Sequence, residues 1–388
     1  MYRIQTLNKI SPAGLALLEK NRFIVGNEVE DPDGILVRSA DMQNFTFSPS
    51  LRAVARAGVG VNNIPIDRCS ESGIVVFNTP GANANAVKEL AVCSLLLASR
   101  NILGGAEWVQ EQAKQGVDLV SAVEKGKSAF VGPEISGKTL GVLGLGAVGV
   151  QVANIATKLG MTVYGYDPFL SVESALRIAR AVNRAMDLNT IFKNCDYITL
   201  HMPLTPETKG MINAESIQMM KPHVRILNLA RSELVVDDDI IPALESGRVA
   251  SYITDFPNNK IALAKNVVAI PHLGASSPES EENCAVMAVQ QLKDYLENGN
   301  IQNSVNLPNV SMDRSGAVRI GIIHRNVPNM LASIMTVLSA EDINVENMMN
   351  HSKRNYAYTL LDVNNRVHDR LIDEIRAIGG VLRVRVLR

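Results

Sequence analysis

The stretch TLGVLGLGAVGVQVANIATKLGMTVYGYD, residues 139–167, constrains this chain more than any other. An apolar run (Leu140, Val142, Leu143) predicts a strand, and Gly144, Gly146 and Gly149 then fit G-x-G-x-x-G, with Ala147 and Val148 between them. A helical pattern follows (Val150, Val152, Ala153, Ile155, Ala156, Leu159), then a second strand over 161–166 that ends in Asp167. The first glycine permits a tight turn and the second lets a pyrophosphate approach the backbone. The third lets helix and strand pack closely, leaving N-terminal amides free to face the anion. Asp167, eighteen residues past Gly149, puts a carboxylate where a ribose diol binds. No arginine follows it directly to take a 2′-phosphate, so NAD is expected rather than NADP.

At 388 residues the chain exceeds one ordinary domain, and two or three are expected. It is 46% hydrophobic with a formal net charge of −1, so it can bury real cores and offers no basic field to nucleic acid or a membrane surface. No run nears the ~18 apolar residues of a membrane span. The opening MYRIQTLNKISPAG reads as a strand running into a capped helix, not as a signal peptide. Cys69, Cys93, Cys195 and Cys284 form no CxxC or Cys/His cluster. They read as buried free thiols of a cytoplasmic, reducing setting, with no metal site.

Ahead of the glycine motif, apolar runs at 35–37, 53–57 and 74–77 alternate with turn and helix signals, which implies a parallel sheet covered by helices. Residues 87–99 (VKELAVCSLLLAS) predict a nearly all-apolar helix buried between two layers. Residues 101–134 are polar, and their Lys114, Lys125 and Lys127 read as a solvated face. Past the motif, strands are expected at 196–201, 226–230, 250–255 and 267–270, with helices at 237–245 and 279–296. Residues 301–316 look like a linker. The remainder reads strand 317–324, helix 328–339, strands 345–350 and 356–363, helix 367–378, strand 381–387. That βαββαβ order is the ferredoxin-like arrangement.

Oxidising an alcohol with a nicotinamide requires a base for the hydroxyl proton, a cation for a neighbouring carboxylate and a wall for the ring. Such groups belong at the carboxyl ends of parallel strands. Three predicted strand ends carry them: Ala230 and Arg231, Asp255, and His272 followed by Gly274. The arginine fork suits a carboxylate, and an imidazole with an ordinary pKa of ~6.5 suits proton exchange near neutrality. Taken singly, each also fits a surface arginine, a capping aspartate or a structural histidine. Their occurrence at successive ends of one sheet favours the chemical reading.

The segments LVRSA (36–40), RAGVGVNNIPID (56–67), NTPGANANAVKEL (78–90), GKTLGVLGLGAVG (137–149), HMPLTPETKGMIN (201–213), NLARSELV (228–235) and PHLGAS (271–276) together resemble the D-2-hydroxyacid dehydrogenases. The resemblance is strongest to the phosphoglycerate-oxidising members that carry a C-terminal ACT domain. It implies a split flavodoxin-like substrate domain (1–97 and 277–303), a Rossmann NAD-binding domain (98–276), a linker (304–316) and a regulatory ACT domain (317–388), with the active site in the cleft between the first two. Carried over, Arg231 binds the substrate carboxylate together with the backbone of Gly58, Val59 and Gly60, and His272 transfers the proton. Arg38 and Asn83 contact the phosphorylated end, Asp255 faces the nicotinamide carboxamide, and Pro203 and Thr208 lie along the NAD. The implied reaction is oxidation of 3-phospho-D-glycerate to 3-phosphooxypyruvate, the first step of L-serine synthesis. Another D-2-hydroxy acid, or a non-catalytic NAD(H)-sensing corepressor role, remains an alternative. His324, Asn326 and Asn344 match the family's serine-contacting positions, so an L-serine effector and a homo-oligomer are implied, with no nucleic-acid or membrane partner.

Three residues depart from the family pattern. No glutamate lies between Asp255 and His272 to pair with the histidine, and its place falls to Asn259. An amide can orient an imidazole but cannot stabilise its cation by charge. The glycine usual after the arginine is Ser232, and a loop glycine of the regulatory segment is Asn329, which takes positive φ less readily.

Overall fold

A computed structural model describes residues 1–316, 318–364 and 367–387. Ala317 and Arg388, the two ends of the predicted regulatory segment, lie outside the described residues. The chain divides into two compact units, Met1–Ala82 with Glu281–Arg388, and Asn83–Ser280. No helix among the described residues is long and apolar enough to cross a membrane.

The first unit contains a parallel sheet of β1 (Tyr2–Thr6), β2 (Phe23–Gly26), β3 (Gly34–Val37), β4 (Ala53–Arg56) and β5 (Val75–Phe77) in the flavodoxin-like order β2-β1-β3-β4-β5. The central strand β3 is apolar at every position, and β4 at all but its last residue, because both faces are covered. Ile35, Val37, Val54 and Val76 enter one core, and Leu36, Ala53, Ala55 and Val75 the other. Into the latter packs the helix Pro278–Asn298, through Ala285, Ala288, Val289, Leu292, Tyr295 and Leu296. That spacing makes one apolar stripe along the helix.

The second unit is a seven-stranded parallel sheet. Its strands are β6 (Thr139–Leu143), β7 (Thr162–Tyr166), β8 (Val182–Arg184), β9 (Tyr197–Leu200), β10 (Val224–Asn228), β11 (Val249–Thr254) and β12 (Val267–Ala269), in the order β12-β11-β10-β9-β6-β7-β8. This is the doubly wound Rossmann order extended by one strand. Helices Ala84–Ser99 and Ala147–Lys158 cover one face, and Leu188–Asn194, Ala214–Met219 and Asp237–Glu245 the other. The predicted burial of the helix at 87–99 on all sides needs correction. Ala91, Leu95 and Ala98 are in the core, but Glu89, Cys93 and Leu96 form an exposed stripe. Cys93 is therefore an exposed free thiol, unlike the buried Cys69, Cys195 and Cys284. Burial pushes the Cys69 and Cys195 thiols up to about 12.

The polar stretch after that helix forms two more helices, Ile102–Lys114 and Leu119–Gly126, started by Asn101 and Asp118 side-chain caps. Neither buries a residue, and Trp108 packs on Phe130 at 5.6 Å. Lys114 and Lys127 pair with Glu111 and Glu124 on a solvated face.

The C-terminal part of the first unit is a four-stranded antiparallel sheet of β13 (Val318–Arg325), β14 (Val345–Lys353), β15 (Tyr356–Val363) and β16 (Val381–Leu387), ordered β14-β15-β13-β16. It is the ferredoxin-like arrangement. Helices Met330–Ala340 and Asp369–Arg376 cover the face of Ile320, Ile322, Leu361 and Val363. Ile323, Tyr358 and Leu360 point the other way, into the same core as Tyr295, Leu307 and Val310. Asn329 adopts φ 67°, so the asparagine does take the left-handed turn expected of glycine.

Residues 301–316, polar in composition, are not a loose tether. Asn306 is buried, accepts from Val76 N at 2.9 Å and donates to Ile74 O at 2.9 Å. Leu307, Val310 and Met312 are buried beside it. Arg319 donates from Nε and Nη2 to the Asp362 carboxylate at 2.6 and 2.8 Å, and also to the carbonyls of Asn298, Met312 and Asp313. The polar groups of this segment bond inward, which composition cannot reveal.

Candidate active site

The glycine turn between β6 and the helix Ala147–Lys158 is held by register. Leu143 pairs with Tyr166, and Gly144 N donates to Tyr166 O at 2.8 Å. Gly144 has φ +92°, and a Cβ there would meet His201 O at 2.6 Å. A Cβ on Gly149 would stand 1.9 Å from Gly144 O, so neither position accepts a side chain. Above Gly146 there is open space, with nothing within 4 Å. Gly146 begins the helix without a side-chain cap, leaving its first amides for an anion. Asp167 accepts from Leu145 N at 2.9 Å and Phe169 N at 2.8 Å, one bond per oxygen. Each oxygen retains a lone pair for a ribose hydroxyl. Beneath the turn, burial depresses the His201 imidazole to about 4, so it is neutral, and Thr199 Oγ1 sits 2.9 Å from its Nε2. Thr208 Oγ1 donates to Pro203 O at 2.8 Å and ties that loop together.

At the ends of β10, β11 and β12 the structure gathers Arg231, Asp255 and His272. Buried Asn228 templates the first of these loops. Its Nδ2 donates to Arg231 O at 2.8 Å, while its Oδ1 accepts from Ala230 N and Arg231 N. Asp255 is buried, and its Oδ2 accepts from Gly274 N at 3.3 Å. Its Oδ1 is buried with no hydrogen-bond partner. Burial raises the Asp255 carboxyl above its usual range, while the charges of His272 and Arg231 pull it back. A buried acceptor lacking a donor is an unfavourable arrangement, and a carboxamide N–H₂ would satisfy it. The open pyrophosphate turn, the ribose-facing carboxylate and this orphan oxygen therefore fit a nicotinamide dinucleotide.

Phe256, which the sequence reading passed over, packs against the His272 ring at 4.4 Å between centroids. The Arg231 guanidinium lies 5.6 Å from the centroid of the Phe256 ring. One aromatic side chain thus spaces the two predicted catalytic groups. Asn259 is not the partner of His272. It opens the short helix Asn259–Ala262, is exposed, and no hydrogen bond joins it to His272 among the described residues. Glu279 makes no such bond either.

In the first unit, Arg38 follows β3 and the Gly58-Val59-Gly60 loop follows β4. Asn8 Oδ1 accepts from the backbone N–H of Arg38, Ser39 and Ala40 and fixes that loop. Arg38 Nη2 is paired with Glu281 at 2.6 Å. Arg56 was missed. It closes β4, donates from Nε to Arg38 O at 3.0 Å, and lays its guanidinium against Gly58, with Nη1 2.5 Å from where a Cβ would stand. Asn83 starts the helix Ala84–Ser99 in the other unit, without a side-chain cap bond.

The three predicted regulatory residues do not meet within one chain. His324 is buried, with Nδ1 2.8 Å from Arg325 O and Nε2 2.9 Å from Thr359 Oγ1. Asn326 Nδ2 donates to Arg354 O, at the β14–β15 turn. Asn344 precedes β14 at the far end of the sheet, since Val345 pairs with Val363 and Val363 with Val318.

A dinucleotide turn with a cation and an imidazole at neighbouring strand ends defines the general type of an NAD-linked oxidoreductase. Residues 92–274 match the family described as D-isomer specific 2-hydroxyacid dehydrogenase, NAD binding domain, and residues 313–385 match the ACT domain. The chain is 34% identical to D-3-phosphoglycerate dehydrogenase of Bacillus subtilis over 82% of its own length and 62% of that protein's. To the Haemophilus influenzae protein of the same name it is 30% identical, covering 88% of this chain and 82% of the relative. An NAD⁺-bound 3-phosphoglycerate dehydrogenase of Entamoeba histolytica superposes with a TM-score of 0.61 at 28% identity, over 79% of this chain and 98% of that one. The chain belongs to the D-isomer-specific 2-hydroxyacid dehydrogenase family and carries a C-terminal ACT domain. It spans 62%, 55% and 50% of the length of the Bacillus, Methanocaldococcus and Synechocystis relatives, which are longer proteins.

Proposed function

We propose that this chain is a cytoplasmic NAD-dependent dehydrogenase that oxidises 3-phospho-D-glycerate to 3-phosphooxypyruvate, the first step of L-serine synthesis. The observation that carries the chemistry is Phe256, flanked by Arg231 and His272, beside the partnerless Oδ1 of Asp255. The choice of substrate rests on relatives named D-3-phosphoglycerate dehydrogenase at 30–34% identity. When bound, NAD⁺ supplies the hydride acceptor. Arg231 holds the substrate carboxylate, with the Gly58-Val59-Gly60 amides as further donors, and His272 takes the hydroxyl proton. Asp255 Oδ1 accepts from the carboxamide and so orients the ring, and Arg38 and Asn83 recognise the phosphate.

The Arg38–Glu281 pair favours a second reading, an unphosphorylated 2-hydroxy acid, because a phosphate must displace or share that carboxylate. NADH formation with candidate acids decides between them. The expected result is turnover of 3-phosphoglycerate with NAD at least tenfold faster than with NADP. Arg38→Ala should weaken 3-phosphoglycerate by roughly tenfold, about 1.4 kcal/mol, and spare unphosphorylated acids. Equal losses on both would make Arg38 structural, and no NADH from any acid would leave a non-catalytic NAD(H) sensor.

We further propose a homo-oligomer with L-serine at its seam. Leu96, Ile102, Leu103, Val109 and Val120 are exposed along the helices of 84–126, an apolar surface suited to a second copy. Antiparallel pairing of β14 edges across a two-fold would bring Asn344 of the partner subunit to the Lys353 end, where Asn326 lies. Serine binding by calorimetry, coupled to the catalytic site by about 1–3 kcal/mol, should be lost in Asn344→Ala. A chain that sediments as a monomer and gives no heat with serine would overturn both parts.

A further inference from the structure

An open cleft of about 930 Å³ lies in the first unit between the β14–β15 turn, the segment 303–309 and Asn78. Its lining includes three basic side chains, His351, Lys353 and Arg354, and four asparagines, but no carboxylate. The volume is that of a small-molecule site, commonly about 300–1,000 Å³. Lys353 donates from Nζ to Ser304 O at 2.8 Å, and among the described residues neither it nor Arg354 has an ion-pair partner. Burial and the neighbouring charge of Arg354 hold the Lys353 ammonium below its usual range. His351 Nδ1 lies 2.9 Å from Asn309 O, which as a donor leaves Nε2 for a ligand. The ordinary alternative is a solvated basic turn. That alternative does not explain why the one half-buried ammonium of this cleft lacks a carboxylate, while the partly buried Lys88, Lys221 and Lys293 pair with Glu89, Asp196 and Glu19.

The cleft is also wired to a loop already described. Asn78 N donates to Asn303 O at 3.4 Å on the cleft side. Its Nδ2 donates to Val59 O at 2.7 Å, and the next residue, Thr79, donates from N to Gly58 O at 3.1 Å. Movement of segment 303–309 therefore reaches the Gly58-Val59-Gly60 backbone through a single residue.

We propose that this cleft binds a small multiply charged oxyanion, of the di- or tricarboxylate or phosphate-ester class, and that Asn78 transmits its occupancy to the Gly58-Val59-Gly60 loop. Lys353 and Arg354 supply the charge, and the asparagine amides and His351 supply directional donors. An anion relieves the repulsion between two adjacent cations and forms charge-assisted hydrogen bonds with both. The transmission clause rests on the substrate role proposed above for that loop, and the binding clause does not.

Calorimetry of the full chain with citrate, and in parallel with inorganic phosphate, tests the binding at low and moderate salt. The expected result is one site per chain that weakens tenfold or more in Lys353→Gln and in Arg354→Gln. The second variant alters an exposed side chain and so guards against loss of fold. Tighter binding of citrate than of phosphate selects the carboxylate class, and the reverse order selects phosphate esters. Binding unchanged in both variants, or absent from the unaltered chain, overturns the site. For transmission, Asn78→Ala measured at citrate concentrations that saturate the variant should abolish the change that citrate causes in the KM for 3-phosphoglycerate. A citrate effect on KM that survives in Asn78→Ala overturns that route. Failure of the dehydrogenase activity itself would leave the calorimetric result standing.

Discussion

His272→Asn is expected to lower turnover by about 10²–10⁴-fold, the usual contribution of a positioned general base, with NADH affinity and thermal stability nearly unchanged. The stability expectation follows from exposure. His272 is open to solvent, and its ring stacks on the partly exposed Phe256, so removing it uncovers little apolar surface. The affinity expectation follows from separation of tasks, since the dinucleotide turn, Asp167 and Asp255 are untouched. Phe256→Leu should be milder and should act through geometry: it keeps apolar bulk but loses the flat surface that spaces His272 from Arg231. Steady-state rates with a fluorescence titration of NADH measure both. A loss below tenfold in His272→Asn would assign the proton to another group and sink the catalytic reading.

Asp362→Ala is expected to cost about 3–5 kcal/mol of stability, because it strands the fully buried guanidinium of Arg319. Burial works against ionisation of Asp362, but hydrogen bonds from Arg319 and Ser315 outweigh it and hold the carboxyl below the usual range. A carboxyl so depressed adds stability above its unfolded pKa of ~3.9, and that share is lost as pH falls through the folded value. The variant should therefore also show a shallower acid limb. Replacing both partners by apolar residues, Arg319→Met with Asp362→Leu, should recover only part of the loss, because it removes the stranded charge but leaves the carbonyls of Asn298, Met312 and Asp313 without their donor. Urea midpoints of the unaltered protein, the single variant and the double variant decide it. A single-variant cost under ~1 kcal/mol would show that water reaches Arg319.

The strand-turn-helix-strand unit of the candidate cofactor site was legible because its physics is local. Gly144, Gly149 and Asp167 lie within one strand-turn-helix-strand unit, and steric limits at the two glycines leave few other readings. The regulatory sheet was legible for a similar reason, its hairpin and helices alternating at short range. Phe256 was not legible, since an aromatic residue after a strand-end acid reads as core until its neighbours are known. Asn259 misled because counting along the chain cannot tell that the local helix turns it to solvent. The helix Ala84–Ser99 shows the same limit. Apolar composition predicts burial but does not say how much of the covering comes from the same chain, and Cys93 and Leu96 remain outside. Segment 301–316 failed the other way, because its asparagine and serine side chains satisfy buried backbone groups instead of water.

The anchoring of that segment bears on how such a chain can be assembled or dismantled. Ile323, Tyr358 and Leu360 share a core with Phe77, Tyr295 and Val310, and Arg319 bonds to the last turn of the helix Pro278–Asn298. The ACT sheet is thus part of the hydrophobic interior of the first unit and not a bead on a string. Excising it by truncation would lay bare a ring-rich surface and unpair the carbonyls that Arg319 and Arg385 now cap. Lineages that gain or shed a regulatory module of this kind must therefore rebuild the inner surface beneath it, a heavier evolutionary step than splicing at a hinge.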